Sequence, residues 1–209
     1  ERADTYSNNF YVSEYELGAY MTDIVNVFRS YASVKHIDLT YESNFRYLNV
    51  WLDKDKMDSI LKNIISNALK YTPEGGSVHV YAYETEDTWN VEVSDTGIGI
   101  PLDEQKKLFK MHFRGSNAIN SKVTGSGIGL LLVWKLVHMH KGKLNFTSTE
   151  GKGSCIKVSF PKGEKRYRKA IHRPAPTKEQ EQNNEPEQIT SPEKGTPDTP
   201  AVNTPIEGY

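Results

Sequence analysis

The strongest constraint on the fold is a change of hydrophobic period partway along the chain. From 54 to 71, Met57, Ile60, Leu61, Ile64, Ile65, Ala68 and Leu69 recur at three- and four-residue steps, which marks a helix with one buried face. Pro73, Gly75 and Gly76 stop it. Residues 77–85 and 88–95 then alternate, with Trp89, Val91 and Val93 on one side and Asn90, Glu92 and Ser94 on the other. One-sided helices followed by one-sided strands must cover each other. Further segments fit this scheme: a helix over 19–34, strands at 36–42 and 47–52, a helix over 127–141, and closing strands at 143–149 and 154–160. The expected fold is an α/β two-layer sandwich, a mixed and mostly antiparallel sheet with helices on one face.

Composition limits where that fold ends. Seven of the ten prolines follow residue 161, and that stretch holds no Phe or Trp. Such a segment cannot offset its conformational entropy by packing, so 162–209 reads as a disordered linker or tail. The expected globular domain is 20–161, preceded by a lead-in, 1–19, whose role the sequence does not assign. Twenty-six basic against 27 acidic residues give a net charge of −1, which argues against a dedicated nucleic-acid binder. The single cysteine, Cys155, excludes an internal disulfide framework and a paired-cysteine metal site. The longest apolar run, Ile128 to Trp134, is about a third of a membrane span, so a soluble chain without direct membrane contact is expected.

Three segments carry the chemistry. On the 54–71 helix, Asn63, Asn67, Lys70 and Tyr71 form a polar stripe beside the apolar face. Asn is a poor interior helix former. Its carbonyl oxygen suits Mg²⁺, and a Lys one turn on suits phosphate; an ordinary polar flank is the plain alternative. Asp95-Thr96-Gly97-Ile98-Gly99-Ile100-Pro101 follows a strand, where glycines admit close backbone approach and the carboxylate suits a ligand amino group. An aspartic protease would need a second Asp-Thr-Gly, which the chain lacks. Gly125-Ser126-Gly127-Ile128-Gly129-Leu130 opens a helix, a place suited to phosphate, but it is neither a dinucleotide fingerprint nor a P-loop. Between the glycine clusters, 101–126 reads as a lid or binding loop with Lys106, Lys107, Lys110 and Arg114 as its cations.

In this order the segments resemble the N, G1, F and G2 boxes of the catalytic ATP-binding domain of sensor histidine kinases, in the GHKL (Bergerat-fold) superfamily. The resemblance covers about 20–161. It implies that Asp95 accepts the adenine amine and that Asn67 ligates Mg²⁺. It implies that Asn63, Lys70 and Arg114 reach the phosphates or metal, with Asn63 as a second candidate ligand. Tyr71 would flank the nucleotide, Gly97 and Gly99 line the adenine pocket, and Lys110, Gly125, Gly127, Gly129 and Leu130 belong to the phosphate and lid side. Ser154 would supply a hydroxyl near adenine. The hydrolysing members and the serine kinases are known for a Glu at position 63; Asn cannot take a proton at neutral pH, which favours transfer to histidine.

None of the six histidines has the family's phospho-acceptor context, so each is expected to be structural or at the surface. The implied partners are ATP, a helical domain bearing the acceptor His, and a downstream receiver domain or response regulator. The resemblance places such a module in the cytoplasm, as part of a membrane-anchored sensor, and the isolated chain is expected to be monomeric. A degenerate nucleotide-binding scaffold or sensor without kinase activity is the competing reading.

Overall fold

Asp53 opens the second helix by accepting from the Lys56 amide at 3.2 Å, and this side-chain cap begins the element around which the fold is built. The computed structural model describes residues 10–105, 107–108 and 129–167, with the backbone of 171–172. In chain order these form β1 (Tyr11–Glu16), α1 (Leu17–Val34), β2 (Asp38–Ser43), β3 (Asn49–Leu52), α2 (Lys54–Tyr71), β4 (Ser77–Glu84), β5 (Thr88–Asp95), α3 (Leu102–Gln105), α4 (Gly129–Met139), β6 (Lys143–Thr149), β7 (Gly153–Pro161), a 3₁₀ turn (Glu164–Tyr167) and β8 (Ile171–His172).

Five strands make the main sheet in the order β2-β4-β5-β7-β6, with β2 and β4 parallel and the other pairs antiparallel. Register aligns the inward side chains into rows. One row reads Tyr41, Val80, Val93, Ile156 and Phe146 across all five strands. The next toward the sheet's end reads Leu39, Val78, Asp95, Ser154 and Ser148. The side facing the helices therefore changes from apolar to polar within one row, and the change puts Asp95 there. Helix α2 packs against both α1 and α4, and its face of Met57, Ile60, Leu61, Ile64, Ile65 and Leu69 is fully buried against the sheet. The opposite face of the sheet carries a stack of His79, Tyr81 and Tyr83, with Lys157 5.1 Å from the Tyr83 ring centre.

The layered α/β arrangement matches the sequence expectation. Two details extend it. The strand expected at 47–52 does not join the main sheet: β3 pairs antiparallel with β1, and β8 pairs parallel with β1 on its other side. The body thus includes Tyr11–Glu16 from the expected lead-in and Glu164–Tyr167 from the expected tail. Glu16 accounts for the early helix start, because its carboxylate accepts from Gly18 N at 2.9 Å and Ala19 N at 2.6 Å. Tyr167 is fully buried, tilted against Phe10 at 6.0 Å, and its hydroxyl donates to the His140 carbonyl at 3.3 Å.

Candidate functional site

The polar stripe of α2 is half-buried, at the border between the buried face and solvent. The Asn63 amide nitrogen donates to the Ser59 carbonyl at 2.7 Å, one turn back. That bond fixes the flip of the amide and turns Oδ1 outward. The first residue of α4 meets it there: a Cβ on Gly129 would lie 2.7 Å from Asn63 Oδ1 and 3.9 Å from Asn67 Nδ2. Only a residue without a side chain lets the start of α4 come this close to the two asparagines. Lys70 and Tyr71 follow on the same helix, with the Lys70 ammonium 5.1 Å from the Tyr71 ring centre.

The second wall is the loop after β5. Asp95 Oδ1 accepts from Gly97 N at 2.8 Å and from Ser154 N at 3.2 Å. Burial pushes its carboxyl above the ordinary value, and the amides of Gly97 and Ser154 offset part of that rise. With Oδ1 so held, Oδ2 is the oxygen left to face a ligand donor. The loop is wedged against two neighbours. On one side Ile98 N donates to the Tyr71 carbonyl at 3.1 Å, and a Cβ on Gly97 would meet that carbonyl oxygen at 2.6 Å. On the other, Gly99 has φ +61, and a Cβ there would lie 2.0 Å from the Thr149 carbonyl oxygen.

Helix α2 is thus the wall shared by both halves. Its middle meets Gly129, and its end meets the Asp95 loop. The structure brings together Asn63, Asn67, Lys70, Tyr71, Gly129 and Leu130 on one side and Asp95, Gly97, Gly99 and Ser154 on the other. Lys110, Arg114, Gly125 and Gly127 lie outside the described residues. The Ser154 amide holds Asp95, and its hydroxyl pairs with Ser148 Oγ at 2.9 Å.

Two contributors were missed in the sequence. Ser148 Oγ accepts from Ile100 N at 2.8 Å, and Gln105 Nε2 donates to the carbonyls of Ile100 at 3.0 Å and Ser148 at 2.9 Å. Together they fasten the Asp95 loop to the β6–β7 hairpin. Counting back through the hairpin from Ser154 would have found Ser148; nothing local marks Gln105. Of the histidines, His140 is fully buried, accepting from Asp53 N at 3.2 Å through Nε2 and donating from Nδ1 to the Leu136 carbonyl at 2.9 Å. It is a structural residue.

Residues 52–164, a span that includes every residue of both walls, match the family described as histidine kinase-, DNA gyrase B-, and HSP90-like ATPase. The chain belongs to that family. Sensor histidine kinase WalK of Bacillus subtilis is 39% identical over 129 residues, which is 61% of this chain and 21% of WalK. Adaptive-response sensory kinase SasA of Thermosynechococcus vestitus is 40% identical over 113 residues, 54% of this chain and 29% of SasA. The ATPase-family chain therefore spans less than a third of these two relatives. The solved catalytic domain of histidine kinase ThkA superposes with a TM-score of 0.64 at 24% identity, over 72% of this chain and 97% of that one. Full-length ShkA in complex with AMPPNP gives 0.64 at 21% identity, over 73% and 31%. At these identities the structures establish the shared fold.

Proposed function

We propose that this chain is the catalytic module of a sensor histidine kinase. It binds Mg²⁺-ATP and passes the γ-phosphoryl group to a histidine on a helical dimerisation domain that the described residues do not contain. The observation that carries the reading is the pinned amide of Asn63 under Gly129. Where hydrolysing relatives are known for an acid, this chain holds a neutral carbonyl oxygen fixed toward the phosphate side.

Each group has a chemical task. Asp95 offers an acceptor to the exocyclic amine of adenine, a charge-assisted hydrogen bond worth about 1.5–3 kcal/mol. Guanine would present a carbonyl to the same oxygen, acceptor against acceptor, so ATP is selected over GTP. Asn63 and Asn67 are the oxygen donors for Mg²⁺. Among the described residues no cluster of three His, Cys, Asp or Glu could hold a metal alone, and two neutral amides suit an ion that shares its shell with phosphates and water. When bound, Mg²⁺ neutralises phosphate charge. Lys70 adds positive charge on that side, the α4 N-terminus adds backbone N–H donors, and the family resemblance gives Arg114 a phosphate-binding task. The incoming imidazole attacks through its unprotonated nitrogen, so Asn63 need not accept a proton. Catalysis rests on positioning and electrostatics.

A response regulator or receiver domain is the proposed next acceptor; histidine kinase ThkA has been solved in complex with response regulator protein TrrA. No helix among the described residues is long and apolar enough to cross a membrane, and a cytoplasmic position beside a membrane-anchored parent is part of the proposal.

Thermal unfolding with and without nucleotide tests the reading. Mg²⁺-ATP at 100 times its dissociation constant should stabilise the fold by about 2.7 kcal/mol, Mg²⁺-GTP should do far less, and Asp95→Asn should lose the effect. Transfer should then require an added acceptor domain. Absence of any shift at millimolar Mg²⁺-ATP would overturn the proposal in favour of a scaffold that has lost its nucleotide.

A further inference from the structure

The C-terminal end of α2 is where both walls of the site meet, and a residue from outside every motif holds it. The last carbonyls of a helix have no partner within it. In α2 the Ala68 carbonyl accepts from the Thr72 amide at 3.1 Å and hydroxyl at 2.7 Å, and the Tyr71 carbonyl accepts from Ile98 N at 3.1 Å. The carbonyls of Leu69 and Lys70, and that of Thr72 just beyond, all accept from one group. They lie 2.8, 3.3 and 3.1 Å from the ammonium of Lys35, the residue that ends α1.

We propose that Lys35 is a positioning residue for the nucleotide site, acting through the Tyr71 carbonyl on the loop that carries Asp95. An ammonium has three donors and no acceptor, and here it meets three acceptors. Those acceptors belong to the peptides 69–70, 70–71 and 72–73, which flank the Tyr71–Thr72 peptide on both sides; that peptide is itself held by Thr72 N, which donates to the Ala68 carbonyl. The Tyr71 carbonyl then has one direction, toward Ile98 N, and Gly97 packs on that same carbonyl while its own amide holds Asp95 Oδ1. Lys35 also supplies positive charge at the negative end of the helix dipole. The proposal rests on the nucleotide-site reading for its function and on the hydrogen-bond geometry for its mechanism.

The two can be separated in one set of variants. Lys35→Met keeps the stem and removes the donors; Lys35→Arg restores donors and charge. In the protein without nucleotide, Lys35→Met should speed hydrogen exchange at the Ile98 amide by about tenfold or more while Val91 and Val93 amides keep their protection. Its dissociation constant for Mg²⁺-ATP should rise by about tenfold, with both effects largely reversed in Lys35→Arg. Unchanged Ile98 exchange would overturn the proposal whether or not the chain binds nucleotide. Faster Ile98 exchange with wild-type Mg²⁺-ATP affinity would also overturn it, leaving Lys35 as a helix cap only. If the unsubstituted chain gives no Mg²⁺-ATP response at all, the nucleotide-site reading fails, and Ile98 exchange still decides whether Lys35 positions the loop.

Discussion

At the scale of single residues, Gly129 separates the needs of the fold from those of the site. Replacing it with Ala adds a good helix former at the start of α4, worth up to about 1 kcal/mol. The new Cβ would lie 2.7 Å from Asn63 Oδ1, so the amide would have to leave its bond to the Ser59 carbonyl and turn aside, a loss of about 1 kcal/mol that offsets the helix gain. Gly129→Ala should therefore leave the melting temperature nearly unchanged while Mg²⁺-ATP affinity falls by about tenfold, measured by calorimetric titration. Equal affinity would show that the outward Asn63 oxygen is not used. The asparagines and Asp95 were legible in the sequence because residue type, spacing and order all sit on contiguous segments. Lys35 was not. It stands 34 residues from Leu69 in the chain, and only the meeting of two helix ends makes it a partner.

At the scale of elements, the β6–β7 hairpin is the support on which the Asp95 loop rests. Gly153 has φ +113, and a Cβ there would come within 1.9 Å of the Asp95 carbonyl oxygen, a backbone atom that cannot swing away. Gly151 in the same turn also has a positive φ, +73, but open space around it. Gly153→Ala should cost at least about 2 kcal/mol in urea unfolding, with Gly151→Ala near 1 kcal/mol. Equal losses would mean that backbone strain alone, and not the close approach, governs the turn. The period-2 strands and the period-3.6 face of α2 were readable because each repeats locally. The placement of β3 was not, since its partner β1 lies more than 30 residues earlier and its four residues fit either sheet. Tyr167 looked like one aromatic in a polar tail; its burial depends on Phe10 and His140, which only the folded chain brings to it.

At the scale of the whole molecule, His140 ties stability to pH. It joins the end of α4 to the cap of α2, with the Phe10 ring edge-on at 4.7 Å. Burial holds its pKa down to about 4, against 6.5 for the free side chain; Asp53 and backbone hydrogen bonds pull upward, while the Lys56 ammonium works with burial. Between those values the unfolded chain binds the proton and the folded chain does not. Stability from this group is complete above pH 6.5 and is lost as pH falls toward 4, by up to about 3 kcal/mol. Asp95 works in the opposite sense, because a raised carboxyl pKa favours the folded state on acidification. Urea unfolding at pH 7.5, 5.5 and 4.5 should show a net decline, flattened in His140→Gln; an equal decline in that variant would assign it to other groups.

The parallel pairing of β8 with β1 sets Tyr11 beside Ile171 and Val12 beside His172, so the chain enters the body along one strand and leaves in the same direction along its neighbour. Tension between the preceding and following segments would load that pair in shear rather than peel it open. With only two residues in β8, this pairing is shorter than the four-residue pairing of β1 with β3 on the other side. Loss of that pairing would leave the hydrogen bonds of the five-stranded sheet, which neither β1 nor β8 joins, untouched.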